Sequence, residues 1–395
     1  MSKPLGGLKV VELGQLIAGP FAGKFFAEFG AEVIKIEPPG GDPLRKWRGL
    51  HRGTSLWWYV QNRNKKSVTA DLRLPEGQEV ARRIAKGADV VIENFRPGTL
   101  EKWGLGYARL AADNPGLVML RLSGFGQSGP YRDQAGFGAI GESMGGLRYV
   151  TGFPDRPPVR PNLSIGDALA ALHGVIGVLM ALHHRDENGG KGQIVDVALY
   201  EAVFNMMEGA LPEYDMFKES RERTGSNLTG IVPSNTYLTR DGQHVVIGAN
   251  ADSIFKRLMV LIGRSDLADD PTLADNAGRA GRADELDAAI GAWTGGRAAD
   301  EVLKTLSDAQ VPSGKIYSMA DIASDAQYLA RDMIRQVTLA DGTALKVPGI
   351  VPKLSETPGD IDWVGPALGE HTEAVLAAHG YGSAEIAALR VRKAV

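Results

Sequence analysis

Leu8-Lys-Val-Val-Glu-Leu-Gly-Gln-Leu-Ile-Ala-Gly-Pro20 and Ala31-Glu-Val-Ile-Lys-Ile-Glu37 decide the fold. Leu8–Leu13 reads as a buried strand, and Gly14–Gly19 as a turn into Pro20, a residue suited to the start of a helix. That helix runs to Phe29 with Gly30 as its stop, and Ala31–Glu37 is the next strand. The unit is therefore βαβ, the seed of a parallel, Rossmann-like sheet. Glu37 lies where a ribose-binding acid would lie, but the turn holds only Gly14 and Gly19 instead of G-x-G-x-x-G. Gly19-Pro-Phe-Ala-Gly-Lys24 fails as a phosphate loop: it is one residue short between its glycines, and Phe25 stands where a metal-holding Ser or Thr belongs.

Outward from this unit the alternation continues. Asn62-Arg-Asn-Lys-Lys-Ser67 precedes a strand over Val68–Leu72, and with Arg73 it reads either as solvated charge or as a phosphate clamp. A helix over Glu76–Lys86, strands Asp89–Glu93 and Leu117–Ser123, and the turn Asn94–Gly98 between them complete the pattern. Gly124, Gly126 and Gly129 match G-x-G-x-x-G, but Pro130 and a polar stretch follow, so the segment is a loop. A helix over Val197–Phe217 leads to the polar stretch Glu219–Gly230, after which Asp241-Gly242 marks a β-hairpin. The expected organisation is a large α/β domain over residues 1–200 plus about 330–395, a linker over 201–224, and a small α+β domain over 225–330.

Composition narrows the function. The 395 residues are 44% hydrophobic and 23% charged, with a net charge of -3, which disfavours a general polyanion binder such as a nucleic-acid protein. With no cysteine there is no disulfide, thiolate metal site or Cys nucleophile, and the cytoplasm is the expected compartment. No secretory signal or membrane span is expected, because the apolar run Ala168–Leu182 is short and interrupted by His173, Gly174 and Gly177. No metal site, H-E-x-x-H or G-x-S-x-G motif occurs.

The second decisive stretch is Asn162-Leu-Ser-Ile-Gly-Asp-Ala-Leu-Ala-Ala-Leu-His173, where Asp167 opens a long apolar run. The run predicts a helix buried on all sides, with Asp167 as its first residue. Asp167 fits an N-cap, and it also fits a nucleophile held ionised by the helix dipole.

Several segments together resemble the class III CoA-transferases, the family of formyl-CoA transferase, carnitine CoA-transferase and the α-methylacyl-CoA racemases. They are Ala18-Gly-Pro20 with Gly30–Glu37, Asn62–Ser67, Glu93-Asn-Phe-Arg-Pro-Gly98, Gly124–Pro130, Gly166-Asp167, Gly190–Gln193 and Leu368-Gly-Glu-His-Thr372. The resemblance implies a Rossmann-like large domain, a smaller α+β domain and an interlocked homodimer. It implies Asp167 as the acyl-carrying nucleophile, and coenzyme A as a co-substrate with no permanently bound cofactor. It implies CoA contacts at Gln15, Leu16, Ile17, Ala18, Ala70, Asp71, Leu72, Arg73, Asn94, Phe95, Arg96 and Lys102, which favours the clamp reading of the basic cluster.

Departures from the family select a branch. Phe137 stands in the segment where the racemases place a catalytic His, and a proton shuttle cannot be built from Phe. Ile17, Ala135 and Gly138 replace the Gln, Lys and Glu of the formyl-CoA transferases, and Pro38 replaces an arginine usual after the second strand. Pro157-Pro-Val-Arg-Pro161 and Ile231–Thr236 resemble the branch that pairs succinyl-CoA with dicarboxylates. Arg48 and Arg160 are the candidates to hold a second substrate carboxylate. An acyl-CoA isomerase and a non-catalytic CoA-binding protein are the alternatives. The loops Gly124–Gly129 and Gly225–Gly230 are candidates to shield an anhydride from water.

Overall fold

A computed structural model describes residues 3–395 of the chain. Six parallel strands form its main sheet: β1 (Lys9–Glu12), β2 (Glu32–Glu37), β3 (Lys65–Thr69), β4 (Val90–Glu93), β5 (Val118–Ser123) and β6 (Ile194–Ala198). Their spatial order is β3-β2-β1-β4-β5-β6, so the winding direction reverses between β1 and β4. In open α/β sheets the crevice beyond the strand ends at such a reversal is where ligands bind.

Alternate residues of these strands feed two cores. Val11, Ile34, Ile36, Val68, Val91 and Met119 pack with α2 (Pro75–Ala85) and with the C-terminal residues Leu376 and Ile386. Val10, Val33, Val90, Ile92 and Leu120 pack on the other face with α1 (Ala18–Glu28) and α4 (Ile165–Glu187). Burial on both faces is why these strands read as continuous apolar runs. The free edge of β3 is covered by the C-terminal segment, since Thr372 Oγ1 accepts the Thr69 N–H (3.0 Å) and the His371 N–H bonds to the Ser67 carbonyl (2.9 Å).

The chain divides into two compact units. The first comprises the described chain through Leu147, Pro161–Glu208 and Ala330–Val395, and the second comprises Arg148–Arg160 and Gly209–Leu329. The second unit contains the hairpin β7 (Ser234–Leu238) and β8 (His244–Gly248), joined through Asp241-Gly242, with a third strand, β9 (Ser313–Lys315). Helices over Asp252–Leu261, Ala283–Gly295 and Ala299–Asp308 close its own apolar core.

Three expectations change. The strand expected over Val68–Leu72 occupies Lys65–Thr69, so the basic cluster itself enters the sheet. The helix expected over Val197–Phe217 is broken. Its first residues finish β6, an edge strand absent from the sequence reading, and helices over Leu199–Phe204 and Ala210–Phe217 follow. Finally, α4 is not buried on all sides. Ala170, Ala171, Val178 and Leu182 face the core, whereas Leu172, Ile176, Leu179 and Met180 (66% exposed) form an open apolar stripe. Apolar character alone does not distinguish a face covered by this chain from one left for another surface.

Candidate active site

The reversal point is locked by one side chain. The Asn94 amide accepts the Gln15 N–H (2.8 Å) and donates to the Gln15 carbonyl (2.8 Å), tying the loop after β1 to the loop after β4. Gly14 and Gly19 permit this closeness, for a Cβ on Gly14 would lie 3.1 Å from Asn94 Oδ1. Leu16 takes a left-handed backbone (φ 63°), a conformation unfavourable for a leucine and held here by Asp42, whose carboxylate accepts the Leu16 N–H at 3.1 Å.

Asp42 belongs to a buried charge network. Lys35 bonds to Asp42 (2.8 Å), Glu12 (2.9 Å) and the Gly14 carbonyl (2.8 Å), and Lys65 reaches Glu12 at 2.7 Å. Burial alone would raise the Asp42 pKa, but Lys35 and the N–H donors outweigh it and hold the group below its ordinary value. Burial brings Lys65 down to about 8. A Cβ on Gly23 of α1 would fall 1.9 Å from Glu12 Oε2, so the network requires glycine there. Glu37 accepts from Arg45 (2.7 and 2.8 Å) and Ser67 (2.6 Å), which occupies the oxygens that a ribose would need.

The basic cluster is corrected by the same geometry. Arg63 and Lys65 are buried and paired with Glu28 (2.6 Å) and Glu12, so these cations build the fold and do not clamp phosphate. Their carboxylate partners lie far away in sequence, which is why the cluster read as solvated or ligand-binding. Exposed cations instead follow the strand ends. Arg73, its side chain 78% exposed, pairs with Asp71 at 2.7 Å, and Arg96 and Lys102 lie on the surface after β4. Ile17, Ala18, Ala70, Asp71 and Leu72 are buried, so a ligand at this crevice would meet their backbone, while Phe95 packs on the Trp103 ring (5.2 Å). Gln15 commits its backbone N–H and carbonyl to Asn94.

Asp167 is the third residue of α4, half-buried in the first turn, where the helix dipole favours its anion. The start of α3 (Gly138–Met144) lies directly against it: a Cβ on Gly138 would fall 2.1 Å from Asp167 Oδ2. Only glycine fits. The fully buried Glu142 accepts the Gly166 N–H at 3.4 Å and steadies the same turn; the sequence reading missed it because a lone Glu inside a helix carries no motif. The Gly124 loop is pinned, with the Gly126 N–H on Ser123 Oγ and the Gln127 N–H on Asp196, both at 3.0 Å. Arg48 is exposed and stacks over Trp57 (4.8 Å), and Arg160 is exposed at the end of its segment of the second unit. Among the described residues no group of three or more His, Asp or Glu is placed to hold a metal.

A family model described as CoA-transferase family III matches residues 5–372. Succinyl-CoA--D-citramalate CoA-transferase of Chloroflexus aurantiacus is 52% identical over 376 residues, covering 95% of this chain and 93% of that protein. The alpha subunit of Succinyl-CoA--L-malate CoA-transferase, also from Chloroflexus aurantiacus, is 40% identical over 397 residues, with 99% and 92% covered. A solved CAIB/BAIF family protein from Brucella suis superposes with a TM-score of 0.84 at 35% identity, covering 96% of this chain and 100% of that one.

Proposed function

Because this chain belongs to CoA-transferase family III, and is by that membership a class III CoA-transferase, we propose that it moves CoA from succinyl-CoA to a dicarboxylate acceptor of the citramalate or malate type, with Asp167 as the nucleophile. The observation that carries the reading is the Asp167 carboxylate at the start of α4 with Gly138 pressed against it. The substrates rest on the names of the two Chloroflexus relatives.

The Asp167 carboxylate attacks the thioester carbonyl, CoA thiolate leaves, and an aspartyl-acyl anhydride forms. Thiolate then attacks the aspartyl carbonyl, which releases succinate and leaves an aspartyl-CoA thioester. The acceptor carboxylate attacks that thioester, CoA thiolate leaves a second time, and a new anhydride forms. Attack of this thiolate on the acceptor's acyl carbon gives the product and restores Asp167. Every nucleophile is an anion, so no general base is required. CoA is a co-substrate in this scheme, and no resident cofactor or metal takes part.

Gln15–Ala18, Ala70–Arg73, Asn94–Arg96 and Lys102 form the CoA site in this reading, with Arg73, Arg96 and Lys102 meeting its phosphates. Arg48 and Arg160 are the proposed partners of the acceptor's second carboxylate. The active form is an interlocked homodimer in the cytoplasm, and the open apolar stripe Leu172, Ile176 and Met180 on α4 supports a second copy as its cover. The large domain is proposed as residues 1–200 with about 330–395, and the small domain as 225–330 beyond a linker at 201–224.

Intact-mass analysis after mixing with succinyl-CoA and quenching with borohydride tests the mechanism. Reduction at residue 167 in wild type and not in Asp167→Asn is expected. An unchanged mass with several acyl-CoA donors, while CoA still binds, would remove Asp167 as nucleophile.

A further inference from the structure

We infer that Glu93, gripped by Arg121, is a positioning residue for CoA: it fixes the turn that carries Asn94, Arg96 and Lys102. The inference rests on the CoA site proposed above. Glu93 ends β4 and is 1% exposed. Its Oε1 accepts from Arg121 Nε (2.7 Å), and its Oε2 accepts the Phe95 N–H (2.8 Å). Arg121, on the neighbouring strand β5, also donates to Glu101 at 2.8 and 3.3 Å. Glu101 lies in the short helix Thr99–Lys102 that ends the turn. One guanidinium therefore holds both ends of the 94–98 turn.

Everything the proposed CoA site takes from this region lies inside that grip or one residue past it. Asn94, which closes the reversal point against Gln15, is the next residue after Glu93, and Lys102 is the next after Glu101. Arg96 is exposed with Phe95, anchored on Trp103, beside it. A neutral acceptor would satisfy the Phe95 N–H at a lower desolvation cost than a buried carboxylate. What the carboxylate adds is its charge on Arg121, which couples the strand end to the helix and so holds the exposed cations in register.

Titration offers a readout independent of folding. Burial raises the Glu93 pKa to about 7, against the opposing pull of Arg121 and the Phe95 N–H. The charged groups facing this cluster are Arg121 on β5, Glu101 beyond the turn, and Asp196 on β6, which interacts with the same guanidinium. As pH falls through about 7, Glu93 takes up a proton, its charge on Arg121 disappears and the turn loosens. CoA affinity then falls toward acid in wild type, beyond what the ionisation of CoA itself causes.

The test is titration of CoA into the full-length wild type, Glu93→Gln and Glu101→Gln between about pH 6 and about pH 8.5. Glu101 is half exposed, so the second variant leaves the buried end of the clamp intact. Expected at the alkaline end is a Kd roughly tenfold weaker for Glu93→Gln and about threefold weaker for Glu101→Gln, with kcat at saturating substrates within about twofold. The acid-side loss specific to wild type should vanish in Glu93→Gln. Wild-type affinity and an unchanged pH profile in both variants would overturn the inference. Failure of wild type to bind CoA at any pH would instead overturn the site reading, and Glu93's role with it.

Discussion

The loops after β1 and β4 are completed within a single chain. Asn94 bonds Gln15 in both directions, Asp42 holds the Leu16 amide, and Lys35 and Lys65 lie without solvent among Glu12, Asp42 and backbone carbonyls. The start of α4 follows another plan: Asp167 stands in the first turn, Gly138 leaves it almost no room, and the helix behind it carries an uncovered row of Leu172, Ile176 and Met180. The difference teaches where rigidity is supplied. The reversal point is preorganised by buried charges, which suits the CoA binding proposed for it. The helix that carries Asp167, the proposed nucleophile, is finished on one face only, which leaves that face for the proposed second copy of the chain.

The largest test of this contrast is Ile176→Glu. A charge on the open stripe should weaken proposed dimer assembly by about 10³-fold, because several kcal/mol oppose burying an unpaired carboxylate there. Sedimentation velocity checks it, and a wild type that sediments as a monomer would break the comparison at once. Lys35→Met attacks the other region. It strands the buried Asp42 carboxylate, while Glu12 keeps Lys65, and should cost about 3–5 kcal/mol, read as a lowered urea midpoint, with the oligomeric state unchanged. The sign of its pH dependence follows from Asp42, whose folded pKa is depressed. Asp42's stabilisation is complete above its ordinary value and is lost as pH falls through the depressed one, so wild type and Lys35→Met should converge in acid.

Gly138→Ala sharpens the comparison from within the acyl end. Its new Cβ would lie 2.1 Å from Asp167 Oδ2, so the carboxylate must turn away. A kcat loss of about 10²-fold with CoA affinity unchanged is expected by steady-state kinetics and CoA titration. Retained kcat would mean that the present Asp167 rotamer is not the one that reacts. The smallest expected effect separates the two kinds of cation. Arg96→Ala should weaken CoA binding about fivefold, less so at high salt, with no change in stability. Arg63→Ala should leave CoA affinity alone and lower the urea midpoint, since Arg63 is buried on Glu28.

Much of this site was legible from residue types and order. Gly14–Gly19 between two apolar runs announced the first crossover, and Asp167 at the head of the apolar run announced a helix N-terminus. The segments Glu93–Gly98 and Leu368–Thr372 then pointed to the family to which the chain belongs. Other residues were opaque for identifiable reasons. Glu142 is a lone acid inside a short helix, and β6 (Ile194–Ala198), although the turn Asn188-Gly-Gly190 precedes it, runs straight into the next helix at Leu199 and so read as that helix's start.

The sequence by itself determined the βαβ alternation, the place of Asp167 at a helix N-terminus and the absence of cysteine chemistry, because strand and helix periodicity and side-chain chemistry are local properties. Only the tertiary structure decided which charges are structural and which are free. Arg63 and Arg96 are the same residue type about thirty positions apart. One meets Glu28 from α1 in a buried pair and the other meets solvent, and long-range packing fixes which partner a charge finds and how much water is left around it.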